Sequence, residues 1–168
     1  MKKKHYLVFG IILVLMSGNL FAQPAIKTIF LVRHAEKAED LKGDRDPELN
    51  EAGLARSENL ANILSEADVD FIYSTDFKRT TGTGLPLAKA LNKEIIKYDP
   101  RDPDLLNKIL EETGSARVLI IGHSNTVPMM VNKLVGEERY PFLDESEYDK
   151  LFIVSISGDL SDCVVIKY

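Results

Sequence analysis

TIFLVRHAEKAED, residues 28–40, decides the fold. Ile29 to Val32 make an apolar run with the length of a buried strand, and it runs straight into Arg33 and His34 before charge takes over. A strand buried on both faces needs neither residue. Where such a strand leaves a parallel sheet, polar residues point to a site, because ligands of open α/β sheets bind outside the carboxyl ends of the strands.

Outward from this strand, the chain alternates. A helix is expected over residues 49–67, with Asn50 as N-cap and Leu60, Ile63, Leu64 and Ala67 at helical spacing. Strands are expected over 70–73, 94–98 and 117–121, and helices over 78–91, 103–112 and 126–135. Gly82, Gly84 and Pro86 predict an irregular first half for the 78–91 helix. Two late strands, 151–157 and 163–168, close the chain around Gly158-Asp159. The alternation predicts an α/β three-layer sandwich, with a mostly parallel central sheet and helices on both faces.

The 168 residues fit one domain, and 45% hydrophobic with 28% charged residues is an ordinary globular balance. Residues 1–22 stand apart. Three lysines precede a mostly apolar run from Tyr6 to Met16, and small residues lead to Ala22. That is the layout of a secretory signal peptide, and the run is short of the ~20 residues that span a bilayer. Cleavage after Ala22 is expected, leaving a domain over 23–168 and an exported, periplasmic or extracellular protein. The alternative is a retained anchor. Cleavage removes three lysines and no acids, so the net charge moves from -5 to -8. An acidic domain is a poor partner for nucleic acid or an anionic membrane. Cys163 is the only cysteine, so the chain has no intramolecular disulfide and depends on its core.

The strand ends collect a chemical set. The first ends at Arg33-His34, the second at Ser74 with Arg79 five residues on, the third at Asp99, and the fourth at Gly122-His123-Ser124. Beyond residue 22 the chain holds two histidines, and both directly follow an apolar strand. Arginine forks match phosphate oxygens, and two of them neutralise a dianion. A neutral imidazole can attack phosphorus, a second can donate to the equatorial oxygens, and an acid can protonate the leaving group.

With these motifs in view, the sequence resembles the histidine phosphatase superfamily, also called phosphoglycerate mutase-like, and within it the short members of phosphohistidine-phosphatase type. The resemblance rests on LVRHAEK with Arg33-His34, on STDFKRTTGTGLPLA (residues 74–88) with Arg79, and on VLIIGHSNT (residues 118–126) with His123. It implies His34 as nucleophile and Arg33, Arg79 and His123 as the phosphate pocket. It implies a phosphatase of phosphate monoesters, acting on a small phosphorylated substrate or a phosphoprotein, without metal or other cofactor. Ala35 replaces a glycine frequent after the first histidine. The chain is also short after its third strand, where larger members hold the acid. Asp99 is the expected acid, with Asp102 and Glu36 as alternatives. A phosphohistidine protein phosphatase, a phosphomutase and a phosphate-binding module without turnover are the alternative functions.

Three other chemistries fit poorly. GHSNT is close to the G-x-S-x-G elbow, but that triad needs a histidine after its serine, and none follows His123. His34, His123 and an acid could hold zinc, but two arginines beside them would repel a cation. DRDPELNEAG lacks the spaced ligands of a calcium loop and reads as a loop leading into a helix. The pocket walls are expected from residues 35–47 and 132–149.

Overall fold

The computed structural model describes residues 26–39 and 43–168. The expected leader, residues 1–22, lies outside the described residues. Ten elements follow in order: β1 (Lys27–Arg33), α1 (Glu51–Leu64), β2 (Phe71–Thr75), α2 (Lys78–Leu91), β3 (Ile95–Tyr98), α3 (Leu105–Thr113), β4 (Arg117–Gly122), α4 (Thr126–Val135), β5 (Lys150–Ser157) and β6 (Leu160–Lys167). The strands form one sheet in the order β3-β2-β4-β1-β5-β6. β1, β4, β2 and β3 run parallel, while β5 and β6 are antiparallel additions on one side.

Two apolar layers hold the helices on opposite faces. Ile29, Leu31, Val118 and Ile120 pack with Leu105, Leu106 and Ile109 of α3 and with Val127 and Val131 of α4. Phe30, Val32, Leu119 and Ile121 pack with Leu60, Ala61 and Leu64 of α1 and with Leu87 and Ala88 of α2. The split follows the strand period of two, which sends alternate residues of β1 and β4 to opposite faces. The three-layer architecture matches the expectation.

Local details explain the element ends. Asn50 is the N-cap of α1, and its side chain accepts from the Gly53 N–H at 2.9 Å. A Cβ on Gly53 would sit 2.1 Å from the Glu36 carbonyl oxygen, so the glycine lets α1 close over the loop that follows His34. The expected irregularity in α2 is absent. The helix runs unbroken from Lys78 to Leu91 with Pro86 inside it. Gly84 lies against the sheet there, where a Cβ would meet Ile121 Cδ1 at 2.6 Å. That glycine serves close packing rather than a break. Ser74 and Thr75 lie inside β2, which extends two residues beyond the expected end.

Candidate active site

Register brings the strand ends together. Arg33 of β1 is paired with Gly122 of β4, and the His34 N–H donates to the Gly122 carbonyl at 2.9 Å. The two histidines therefore leave neighbouring parallel strands side by side, with ring centroids 5.5 Å apart and the rings edge to face. Gly122 is required before His123, because a Cβ there would meet Thr126 Oγ1 at 2.8 Å and the Tyr98 hydroxyl at 3.0 Å. β2 lies on the other side of β4 and delivers Thr75 to the same rim.

His34 is buried, and its tautomer follows from its partner. Nδ1 lies 2.8 Å from the Ala35 carbonyl, which can only accept. The proton is therefore on Nδ1, and Nε2 keeps its lone pair. Burial first, then the charges of Arg33, Arg79 and His123, push the His34 pKa down to about 3, against a partial opposing effect of the Ala35 bond. The ring is neutral near neutral pH. The loop is pinned as well, because the Ala35 N–H donates to Thr83 Oγ1 at 2.9 Å.

A chain of hydroxyls anchors His123. The Thr80 hydroxyl shares its proton between the carbonyls of Thr75 and Phe77, each at 2.9 Å. The Thr75 hydroxyl donates to Thr80 Oγ1 at 3.0 Å. Thr75 Oγ1 must then accept from His123 Nε2, also 3.0 Å away. Burial, then Arg79 and Arg33, lower the His123 pKa to about 4.

Each arginine is built into a similar half-site. Arg33 Cζ lies 4.1 Å from the ring centroid of Tyr148, and its Nη2 donates to Glu145 Oε2 at 2.9 Å. Its Nη1 faces the carbonyls of Asp144, Glu145 and Glu147 at 2.7–3.2 Å. Arg79 Cζ lies 4.3 Å from the ring centroid of Phe77, and its Nη1 reaches Asp46 Oδ1 at 3.4 Å. Asp46 also accepts from the Lys78 N–H at 2.9 Å, at the start of α2. Tyr148 packs near His34 with centroids 6.0 Å apart, and Phe77 stands edge-on to His123 at 5.3 Å.

Arg33, His34, Arg79 and His123 thus share one rim, as the sequence suggests. The three expected acids do not join them. Asp99 follows β3, at the edge of the sheet, roughly 14 Å and three strand spacings from β1. Its side chain is 52% exposed and bonded to Arg101, which holds its carboxyl below the usual range. It lines a groove of about 630 Å³ that Phe77 also borders. Asp102 is held by Lys108, which lowers its pKa. Glu36 accepts from Arg56 Nε at 2.9 Å and Nη2 at 2.7 Å, and that pairing lowers its pKa as well. Arg56 is thereby structural, tying α1 to the loop after His34 and to the Tyr168 carbonyl.

Sequence reading missed Thr75, Thr80, Phe77, Asp46, Glu145 and Tyr148. The threonines stand in the quoted 74–88 segment, and their hydroxyls in a strand-to-helix turn were the available signal. Phe77 stands in the same segment, and Asp46, Glu145 and Tyr148 come from the two segments expected as walls, where nothing local marks them.

Residues 29–101 match the family described as histidine phosphatase superfamily (branch 1). A curated relative, phosphoserine phosphatase 1 of Hydrogenobacter thermophilus, is 34% identical over 117 residues, covering 67% of this chain and 46% of that protein. The chain therefore spans a little under half the length of the curated relative it matches. Among solved structures, the protein histidine phosphatase SixA complexed with tungstate aligns with a TM-score of 0.68 at 21% identity, covering 83% of this chain and 96% of that one. A mycobacterial glucosyl-3-phosphoglycerate phosphatase aligns at 0.69 and 12% identity, covering 85% and 98%. At such identities the structural likeness establishes the fold.

Proposed function

Because the chain belongs to the histidine phosphatase superfamily, we propose that it hydrolyses phosphate monoesters through a phosphohistidine on Nε2 of His34. The observation that carries this reading is the His34 ring: buried, neutral, with Nδ1–H committed to a carbonyl and Nε2 free to attack. Nε2 bonds to phosphorus as the bond to the ester oxygen breaks, and the leaving alkoxide takes a proton from water at the pocket mouth. Water then attacks the phosphohistidine, giving inorganic phosphate and the free imidazole. Arg33 and Arg79 supply fixed positive charge for the equatorial oxygens. Burial, and then the same two arginines, oppose a proton on His123. A bound phosphate dianion pulls the other way, favouring a proton at Nδ1 of His123 that makes it a second donor. Export through residues 1–22 belongs to the same proposal, on the strength of their composition.

The test is a panel of phosphate monoesters on the purified protein, with and without EDTA. Turnover that survives chelation and is blocked by vanadate supports the reading. Activity lost to EDTA and restored by zinc would sink it. Mass spectrometry of the protein from its host reads the N-terminus: a start at Gln23 supports export, and an intact Met1 in the membrane fraction contradicts cleavage.

A further inference from the structure

The two half-sites share one composition: an arginine, an aromatic ring behind it and a carboxylate paired with it. Resting on the phosphatase reading, we propose that Asp46 and Glu145 select phosphate monoesters whose leaving group carries an ammonium, and disfavour those whose leaving group carries a carboxylate.

The argument is one of charge balance. In a phosphate pocket, two arginines ordinarily offset the dianion. Here Arg33 is paired with Glu145 and Arg79 with Asp46, so the guanidinium charges are already met by the protein. His34 stays neutral, and His123, once the dianion draws a proton to it, offsets one of the two phosphate charges. Lys78 and Lys150, beside these segments, are matched by Glu48 and Glu147. A bound phosphate dianion therefore leaves one uncompensated negative charge in the filled pocket. A second negative charge on the leaving group adds repulsion, and a positive one relieves it.

The walls fit the same class. Tyr148 and Phe77 stack on the Arg33 and Arg79 guanidinium groups, which leaves the paired carboxylates as the groups a cationic head would meet. The Glu145 side chain is 84% exposed and that of Asp46 37% exposed, so both carboxylates lie on the solvent side of the guanidinium groups they hold. A leaving group extends toward solvent, because the phosphate occupies the inner end beside His34. The two carboxylates at that mouth form a receptor for a cationic head.

The test compares two substrates of similar size, ethanolamine phosphate and glycolate phosphate, with p-nitrophenyl phosphate as reference. The readout is the ratio of their kcat/KM values, in which effects on the shared phosphate cancel. For the wild type, the ratio should favour ethanolamine phosphate by about tenfold or more at low ionic strength and shrink with added salt. Glu145→Gln and Asp46→Asn should each lower the ratio, and the pair together should bring it near one. Glu145 is on the surface, so its variant tests the idea without endangering the fold. A wild-type ratio at or below one would overturn the inference, and so would a ratio unmoved by either variant. Failure to hydrolyse p-nitrophenyl phosphate would instead overturn the phosphatase reading beneath it.

Discussion

Arg33 and Arg79 are made from the same parts and are held very differently. Arg33 is 2% exposed, stands at the end of a central strand and meets three carbonyls and a carboxylate. Arg79 stands in the first turn of α2 with one long contact to Asp46, and its side chain is 14% exposed. The first is a fixed charge that also fastens the 144–148 segment to the sheet. The second is an adaptable clamp on a helix end. On the proposed mechanism, one residue type thus serves architecture and chemistry together in one half-site and chemistry nearly alone in the other.

The largest expected effect breaks the Arg33 half. Arg33→Ala should lower kcat/KM by about 10²–10³-fold or more, the range for losing one charge-stabilising donor. It should also cost at least about 2 kcal/mol of stability, because several acceptors lose a charged donor. That corresponds to a thermal midpoint lower by roughly 4–8 °C in a domain of this size. Arg33→Lys should rescue little, since one ammonium cannot span the carbonyls and Glu145 together. Arg79→Ala should lose about as much activity, 10²–10³-fold, while its thermal midpoint moves by less than about 2 °C. Equal destabilisation in both variants would erase the distinction between the halves.

Acid should sharpen a second contrast, between the folded and unfolded histidines. The folded pKa values of His34 and His123, about 3 and about 4, lie below the unfolded value of 6.5. The unfolded chain therefore binds more protons as pH falls below about 6.5. The stabilisation is whole above that pH and declines as pH descends toward the folded values. Urea midpoints measured from pH 7 down to 4.5 should fall, and His34→Gln should flatten the slope. A slope unchanged in His34→Gln would contradict the buried, neutral ring.

Smaller effects follow. Thr75→Val removes the acceptor of His123 Nε2, and kcat should drop about tenfold, the rate equivalent of one hydrogen bond to a group that becomes charged. Asp99→Asn should change turnover by less than about threefold on alkyl and p-nitrophenyl phosphates alike, as an exposed carboxylate paired with Arg101 has little hold on the leaving group. A loss confined to the alkyl phosphate would return Asp99 to the site as the proton donor.

That last pair shows what was legible in the sequence. Arg33-His34 and Gly122-His123 could be read because each ends an apolar strand, and parallel neighbours in register place such ends together. Asp99 carries the same local signal, but nothing in the sequence says that β3 is an edge strand while β1 and β4 are central. Strand order is a property of the whole sheet. The helices were legible wherever their apolar spacing was. The reading of α2 failed because Gly84 answers to Ile121 in the sheet and Gly82 to Leu49, while Pro86 sits inside an unbroken helix. Glu145 and Tyr148 reach Arg33 from more than a hundred residues away, so no spacing rule could find them.

The central claim is that His34 carries the phosphoryl group. Rapid acid-free denaturation of the protein with labelled p-nitrophenyl phosphate, followed by peptide mapping, tests it directly. The account predicts label on His34 that survives alkali and is lost in acid, and none in His34→Ala. Label on another residue, or full turnover by His34→Ala, would contradict it.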